Sequence, residues 1–549
     1  MMISCGNSLP SGRNLGRYSK ISLTLSVLAC LSACGAGEAP QGPSGPPPVS
    51  GGSDALPPRL QNATPAAGAV EVPVTAEVSI VFDETLDEAT TRLRGLRLFR
   101  GGDEVTGQIV PSPAGVTFVP LETLEYGSEY EAVVDGGVSD LAGNPLGSEI
   151  RWGFRTETFS SELPLVFLDP LGVTIPDEPK IPARLRLEGG DGSVDYEGWA
   201  GVEIRGHSSQ NAPKKQYGFE TWDEFQDEVE VELLGMPEES DWILQGNYFD
   251  SSLLRNYFAL ELSRATGRYA PRMRFAELFL ALAPGDPRYW GVYAVMEKIK
   301  RDANRVSLKK LESDDNAEPE VTGGYLLAMD KLNPGDLYFE TALGTRLLYE
   351  YPKGEDITAA QAAWIQGYVE GFEAALAGPD FRDPVLGYRA FLDVEAAVDF
   401  FLVNELLKNV DAFAFSTFLS KERGEKLRLG PVWDFDLAMG NLLGGGLGAP
   451  EGWLLCEGRW IGRLLEDPDF AAAVADRYQE LRAGAWSDAA LAAVLDEATE
   501  ALREAGPRND RRWYRRQDFT FEGRGAELRV WLTARLAWVD SHIENLCLP

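Results

Sequence analysis

Histidine is nearly missing from this 549-residue chain, which has two, His207 and His542. That leaves too little imidazole for a His-rich zinc centre or a Ser-His-Asp hydrolase. Basic residues are the minority charge, 51 Lys and Arg against 85 Asp and Glu, for a formal net charge of −34. So acidic a surface repels nucleic acid and anionic lipid alike, and neither is expected as a partner. The apolar run Ile21 to Leu31, preceded by Arg13, Arg17 and Lys20, is too short to span a bilayer as a mature helix and marks an export signal. Of five cysteines, only Cys456 and Cys547 fall in the folded portion. They either pair, closing a loop of about ninety residues worth roughly 3–5 kcal/mol, or stay as two buried thiols. No internal repeat is visible.

What is present is the material of a folded, multidomain protein: 44% apolar residues with 13 Trp, 18 Tyr and 25 Phe, in a chain too long for one ordinary domain. Leu31-Ser32-Ala33-Cys34 resembles a bacterial lipobox. The resemblance implies cleavage before Cys34 and acylation of that cysteine, and Gly35, where an Asp would retain the protein at the inner membrane, implies outer-membrane sorting in a Gram-negative cell. The alternative is an ordinary cleaved secretory signal. Residues 1–33 are thus read as a lipoprotein signal. Residues 34–58, rich in Gly, Pro and Ser, form a tether that cannot bury enough apolar surface to fold.

From 59 to 157 the pattern turns to short β-prone runs: Glu77–Phe82, Leu96–Phe99, Val116–Val119, Tyr130–Val134 and Arg151–Phe154, with a turn at Asp140–Asn144. The spacing predicts an antiparallel β-sandwich. Thr64-Pro65, Val81-Phe82, Thr117-Phe118, Tyr126-Gly127 and Phe154-Arg155-Thr156 resemble bacterial Ig-like domains of the surface-layer type. No catalytic set lies here, so the segment is read as a spacer or adhesion module.

Residues 160–549 mix strands and helices. Strands are expected at Arg184–Leu187, Gly201–Arg205, Gln216–Thr221, Phe275–Leu282, Tyr289–Glu297 and from Gly323. Helices are expected at 251–266, 359–376, 393–410, 469–483 and 527–546. The helix from Asp393 has apolar residues at Val394, Val398, Phe401, Leu402 and Leu406, one face at helical spacing, and delivers Asp411. Two strands, Ala412–Ser420 and Lys426–Trp433, then form a hairpin ending in Trp433-Asp434-Phe435-Asp436. If that strand continues, period-2 geometry points Asp434 and Asp436 the same way and three carboxylates converge.

Phosphate chemistry with a metal needs hard oxygen ligands, an orienting carboxylate and a cation for the transferred group. Asp434, Asp436 and Asp411 supply the first two. A lone Asp-x-Asp is equally a solvated turn or a structural calcium site, but carboxylates between Trp433 and Phe435 are costly to bury without a purpose. The cations lie between Arg205 and Tyr217, where a small polar loop containing Ser208 ends in Lys214 and Lys215. One of two adjacent strand lysines points inward; the bland alternative is a basic surface hairpin. Glu297 either pairs with that lysine or contacts a nucleotide. The cluster Arg508, Arg511, Arg512, Arg515 and Arg516 reads as ion-pairing to the chain's own acids.

Six ordered segments together resemble the CotH kinase family, distantly similar to protein kinases. They are Arg205-Gly206-His207-Ser208-Ser209 with Pro213 to Tyr217; Trp242-Ile243-Leu244 with Asn247 to Asp250 and Leu254-Arg255-Asn256; Gly291-Val292-Tyr293 with Glu297; Gly323-Gly324-Tyr325; Asn409-Val410-Asp411; and Gly430 to Asp436. The resemblance implies an all-β Ig-like sandwich followed by an α+β, atypical protein-kinase-like domain. It also implies transfer of phosphate from ATP, with Mg²⁺ or Mn²⁺, to Ser or Thr of a surface or exported protein. By position it makes Asp411 the catalytic aspartate, Asp434 the principal metal ligand and Asp436 a supporting one. Lys215 or Lys214, with Arg205 and Ser208, would hold ATP, and Glu297 would face nucleotide or lysine. Ser416 stands where relatives place an asparagine metal ligand, and Met329 where an acid is expected, with Asp330 its substitute. An inactive adhesion or scaffold lipoprotein is the second reading, and a metal-dependent glycosyltransferase the third.

Overall fold

The computed structural model describes residues 54–442, 447–514 and 520–547. The export signal, Cys34, nearly all of the tether, and Arg515 and Arg516 lie outside the described residues.

The first domain is two four-stranded sheets face to face. Leu60–Thr64, Val78–Phe82, Gly115–Pro120 and Gly107–Ser112 form one; Asp103–Glu104, Arg97–Arg100, Glu129–Val134 and Ile150–Arg155 form the other. Alternation along the strands sends Val78, Ile80, Phe82, Leu98, Phe118, Ala132, Trp152 and Phe154 into the space between the sheets. One helix, Glu88–Arg94, escapes the strand pattern; Asp87 caps it by accepting from the Ala89 N–H.

This domain packs directly against the next one. Tyr126 meets Phe159 and Tyr289 edge-on at 5.0 and 5.8 Å, Arg100 pairs with Asp286 at 2.7 Å, and Arg512 reaches Glu122 at 3.0 Å.

Seven strands then close into a barrel: β1 (Leu165–Asp169), β2 (Ile181–Glu188), β3 (Val194–Arg205), β4 (Gln216–Trp222), β5 (Asp241–Gln245), β6 (Met273–Ala281) and β7 (Pro287–Glu297). The order is β2-β3-β4-β5-β7-β6-β1, and β1 closes the ring by pairing parallel to β6 and antiparallel to β2. Inward residues such as Val166, Leu185, Val202, Phe219, Trp242, Leu278 and Tyr293 fill it. Between β5 and β6 lies helix α1 (Arg255–Arg264).

A second sheet carries β8 (Tyr325–Met329) in the middle, with β9 (Tyr338–Glu340) and β10 (Arg346–Tyr351) on one side and β11 (Thr417–Lys421) and β12 (Leu427–Leu429) on the other. The Gly323-Gly324 pair before β8 has a steric reason: a Cβ on Gly323 would stand 2.0 Å from the Arg423 nitrogen, and Gly324 has φ 94. Helices cover this sheet, and the largest apolar cluster, from Leu254 and Phe258 through Phe372, Phe401 and Trp460 to Leu536, lies among them. The helices at Ala359–Ala377, α2 (Val394–Leu406), Pro468–Arg482 and Phe521–His542 fall close to the apolar stripes that predict them. Asp393 caps α2 through the Ala396 N–H. The exposed His542 stacks on Trp538. Cys456 and Cys547 form a disulfide with Cα atoms 5.5 Å apart. No described helix is long and apolar enough to cross a membrane.

The stretch from 407 to 436 departs from the pattern. Helix α2 stops at Leu406 rather than Val410, because Lys408 turns left-handed at φ 51 and Asn404 and Asn409 bond each other's side chains at 3.0 Å. The expected strand from Ala412 begins only at Thr417: Phe413 and Ser416 are left-handed, and the N–H groups of Ala414 and Phe415 fold back on the Asp411 carbonyl. The partner strand ends at Leu429, so Trp433 to Asp436 is irregular backbone and period-2 geometry does not govern Asp434 and Asp436.

Candidate active site

Where β3, β8, the end of α2 and the segment after β12 meet, four charged residues face one another. Arg205 is the last residue of β3. Its guanidinium lies over the Trp433 ring, 5.4 Å from the centroid, and makes no hydrogen bond or ion pair among the described residues. Asp434 follows at φ 56, in a region that short Asp side chains tolerate and that bulky residues avoid. Five residues between 408 and 439 share this left-handed backbone: Lys408, Phe413, Ser416, Asp434 and Met439. Strain of this kind collects where the surrounding structure holds a site in a set shape.

The electrostatics report the neighbours. Burial raises the Asp434 pKa, the Asp411 charge raises it further and Asp330 adds to that, while the Asp436 N–H and Arg205 pull it down. Burial likewise lifts Asp330, which the N–H groups of Lys331 and Ser416 hold down. Burial draws the Arg205 guanidinium below its usual range against the opposing pull of Asp434, Glu203 and Asp330. Asp411, Asp434, Asp330 and Arg205 therefore form one group. Asn409 fixes two of them: its Oδ1 accepts from the Asp411 N–H at 3.2 Å and its Nδ2 donates to the Asp434 carbonyl at 3.3 Å.

Asp436 lies next to this group, where the Asp434 charge acts on it. It is buried, and Asn256 Nδ2 donates to its Oδ1. Burial first, then the charges of Asp434 and Asp250, lift it well above the usual carboxylate range. Asn256 Oδ1 also accepts from the Phe435 N–H at 2.7 Å, Arg255 binds the carbonyls of Ala438 and Met439, and Asp250 pairs with Arg255 at 2.6 Å. The segment 247–256 is thus a clamp on the loop that carries Asp434. Sequence reasoning quotes Asn247 to Asp250, Leu254 to Asn256 and Asn409 within motifs but gives them no task. The available signal is several polar side chains set among Trp, Tyr, Phe and Leu.

The two lysines part company. Lys214 is fully buried, donates to the Val292 carbonyl at 2.5 Å and to Asn509 Oδ1 at 2.9 Å, and lies 4.8 Å from the Tyr293 ring centroid. Burial drives its pKa well below the usual lysine range. Asn509 belongs to helix α3 (Ala505–Trp513), which packs where Gly291, at φ 105, leaves room; a Cβ there would stand 2.7 Å from Asn509 Oδ1. Lys214 is therefore part of the barrel's packing, a correction to its reading as a phosphate ligand. Lys215 donates to the Gln210 carbonyl at 2.5 Å, within the loop that follows Arg205. Neither lysine is among the charges that act on Asp434, and Arg205 is. Glu297 pairs with Arg272 at 2.7 Å and accepts from the Tyr269 hydroxyl at 3.2 Å, so the expected Glu297–lysine pair does not form. Ser208 is exposed and its Oγ accepts from Lys331 Nζ at 3.1 Å. Ser416 acts on Asp330 through its backbone N–H. In the arginine cluster, Arg508 pairs with the buried Glu277 at 2.7 Å and Arg512 with Glu122, as ion-pairing to the chain's own acids requires.

Among known families, a model described as CotH kinase protein matches residues 202–539, and one described as bacterial Ig-like domain matches 54–156. No curated protein matches. Solved structures align locally. An L,D-transpeptidase from Mycobacterium smegmatis is 20% identical over 29% of this chain and 59% of its own, with a TM-score of 0.15. CopC from Methylosinus trichosporium OB3b is 15% identical over 19% of this chain and 97% of its own, with a TM-score of 0.16. The N-terminal part of the bacterial S-layer protein SbsC is 14% identical over 30% and 41%, also with a TM-score of 0.16. Scores so low carry no argument. The family model, by contrast, spans more than half of the chain and contains Arg205, Asp330, Asp411 and Asp434, so the chain belongs to the CotH kinase protein family, with a bacterial Ig-like domain ahead of the matched region.

Proposed function

We propose that this protein is an atypical, kinase-like enzyme that transfers the terminal phosphate of ATP to a Ser or Thr hydroxyl of a surface or exported protein. The observation that carries the reading is that Asp411, Asp330 and Arg205 all act on Asp434, with none of the four ion-paired at hydrogen-bond distance among the described residues. Carboxylate oxygens without a cationic partner are hard donors that suit Mg²⁺ or Mn²⁺. Asp434 and Asp330 would hold the ion, whose chemistry when bound is to neutralise charge on the phosphate oxygens.

The chain's own groups then divide the work. Asp411, placed by Asn409, orients the acceptor hydroxyl and takes its proton. Arg205, over the Trp433 ring and unspent on any carboxylate, offers N–H donors to the transferred phosphate. Asp436 serves as a support for the loop. Residues 1–33 serve as the lipoprotein signal with Cys34 as the lipid-bearing residue, 34–58 as the tether, 59–157 as the Ig-like domain and 160–549 as the kinase-like domain. In that arrangement the enzyme works at the cell envelope, in contact with membrane through the anchor alone.

The test is transfer of labelled phosphate from ATP by the purified full chain with Mg²⁺ or Mn²⁺, beside Asp411→Asn and Asp434→Asn. Activity in the parent that falls at least a hundredfold in both variants supports the assignment, and equal activity in either removes that residue from its role. A second reading, a non-catalytic scaffold, draws support from the withdrawal of Lys214 into the barrel. Metal-independent binding of a cell-surface polymer, without transfer by the parent, would favour it.

A further inference from the structure

Two elements that build the acid group each send one contact to a side chain carried by a third. Lys331 follows Asp330 at the end of β8; its Nζ donates to Ser208 Oγ, three residues beyond Arg205, at 3.1 Å. The same Nζ lies 5.3 Å from the centroid of the Phe415 ring, four residues beyond Asp411. Lys331 is thus fixed at the rim of the group from the Arg205 loop, from the Asp411 turn and from its own strand. In a chain with 85 acids and 51 bases, most cations have a carboxylate to bind. Lys331 forms no salt bridge among the described residues, and its one hydrogen-bonded acceptor is a neutral hydroxyl.

We propose that Lys331 is a phosphate-binding residue of this site, giving up Ser208 Oγ for a non-bridging oxygen of a nucleoside triphosphate. The exchange is favourable because a phosphate oxygen carries negative charge and gives the ammonium a Coulomb attraction that the neutral hydroxyl lacks. It also answers the loss of Lys214 to the barrel: the second cation comes from the segment just after β8, and not from the strand after the Arg205 loop. The aromatic face of Phe415 keeps the ammonium in place without neutralising it. This assignment rests on the nucleotide reading above, and the experiment separates the two.

Calorimetry on the full chain measures binding of Mn²⁺ alone and of Mn²⁺ with ATP, for the parent, Lys331→Met, Lys331→Arg and Ser208→Ala. Lys331→Met is expected to weaken ATP binding about tenfold or more, a larger change than any in Mn²⁺ affinity that follows from removing its charge beside Asp330. Lys331→Arg should recover most of the loss, and Ser208→Ala should leave ATP affinity equal or tighter, since it frees the lysine. If Lys331→Met binds ATP as the parent does, the inference fails and the nucleotide reading stands. If Ser208→Ala loses as much as Lys331→Met, or if Lys331→Arg fails to rescue, the lysine is structural and the inference is overturned. A parent that binds Mn²⁺ but no ATP overturns both.

Discussion

Replacing Asp434 with Asn should make the metal-free protein more stable while it destroys metal binding. Asp434 stands in the field of Asp411 and Asp330, and its carboxylate is raised by burial and by their charge. Two like charges at ~4–8 Å repel by ~2–4 kcal/mol at an effective dielectric of ~20. Water still reaches the partly exposed Asp434, which screens some of this, so removal of one charge should return about 1–2 kcal/mol. Asn is the replacement that isolates the charge: it fits φ 56 as Asp does, and its Oδ1 can still accept from the Asp436 N–H. The sign with pH follows from linkage. A carboxyl raised in the folded state holds its proton more tightly there than in the unfolded chain. Stability is then lost as pH climbs from the ordinary carboxylate range, ~4, through the raised folded value. The gain from Asp434→Asn should therefore be largest near neutrality and fade toward pH ~4. Thermal melts of parent and variant in EDTA at several pH values, and again with Mn²⁺, measure all of this. The expected result is a variant that melts a few degrees higher without metal and hardly responds to Mn²⁺, while the parent rises. A variant that melts at or below the parent near pH ~7, or that Mn²⁺ stabilises equally, would refute the reasoning.

Two other perturbations test the frame around the site. Arg535 is fully buried, pairs with the buried Glu405 at 2.8 Å and donates to the carbonyls of Leu406, Pro450 and Gly452. Arg535→Met strands that carboxylate and should cost about 3–5 kcal/mol in a urea titration, with Glu405→Gln in the same chain recovering part; an unchanged midpoint would show that Glu405 finds water. The Cys456–Cys547 disulfide spans 91 positions, so its loss should cost up to about 4–5 kcal/mol by loop-closure entropy. Cys547→Ser should melt lower than the oxidised parent and be indifferent to reductant, and superimposable melts of the parent with and without reductant would contradict it.

Much of the architecture was legible because burial imposes a period. Val78–Phe82 and Ile150–Arg155 alternate inward and outward, whereas α2 is buried on all sides from Ala396 to Leu406 and is legible by its apolar content. Leu60–Thr64 has no buried residue, so its strand character comes from pairing with Val78–Phe82 and leaves no pattern to read. Helix α3 has Pro507 and Gly506 near its start and three arginines, and it exists because Asn509 and Trp513 dock against β7. At the site the acids were readable as residues and unreadable as geometry. Asp434 is left-handed, which takes it and Asp436 out of strand geometry, and φ is not written in side-chain alternation. Lys214 and Lys215 precede β4, so strand alternation does not govern them and cannot say which one the barrel takes. That depends on Asn509, nearly three hundred residues further on in the chain.

The placement of charge argues that the acid group is kept for what it binds. Elsewhere the scarce bases are spent where burial makes an unpaired acid costly: Glu277 on Arg508, Glu297 on Arg272, Asp399 on Arg268 and Arg477, Glu405 on Arg535. In each case a carboxylate under about a tenth exposed has an arginine at hydrogen-bond distance. Asp330, Asp411 and Asp434 are only partly buried, and none of them has a salt bridge among the described residues, although Arg205 acts on both Asp434 and Asp330. Left-handed turns and the Asn409 and Asn256 bonds fix the backbone that carries Asp411 and Asp434. Acids without a salt bridge, beside a guanidinium without one, are the charge pattern that a metal-bound phosphate would complement.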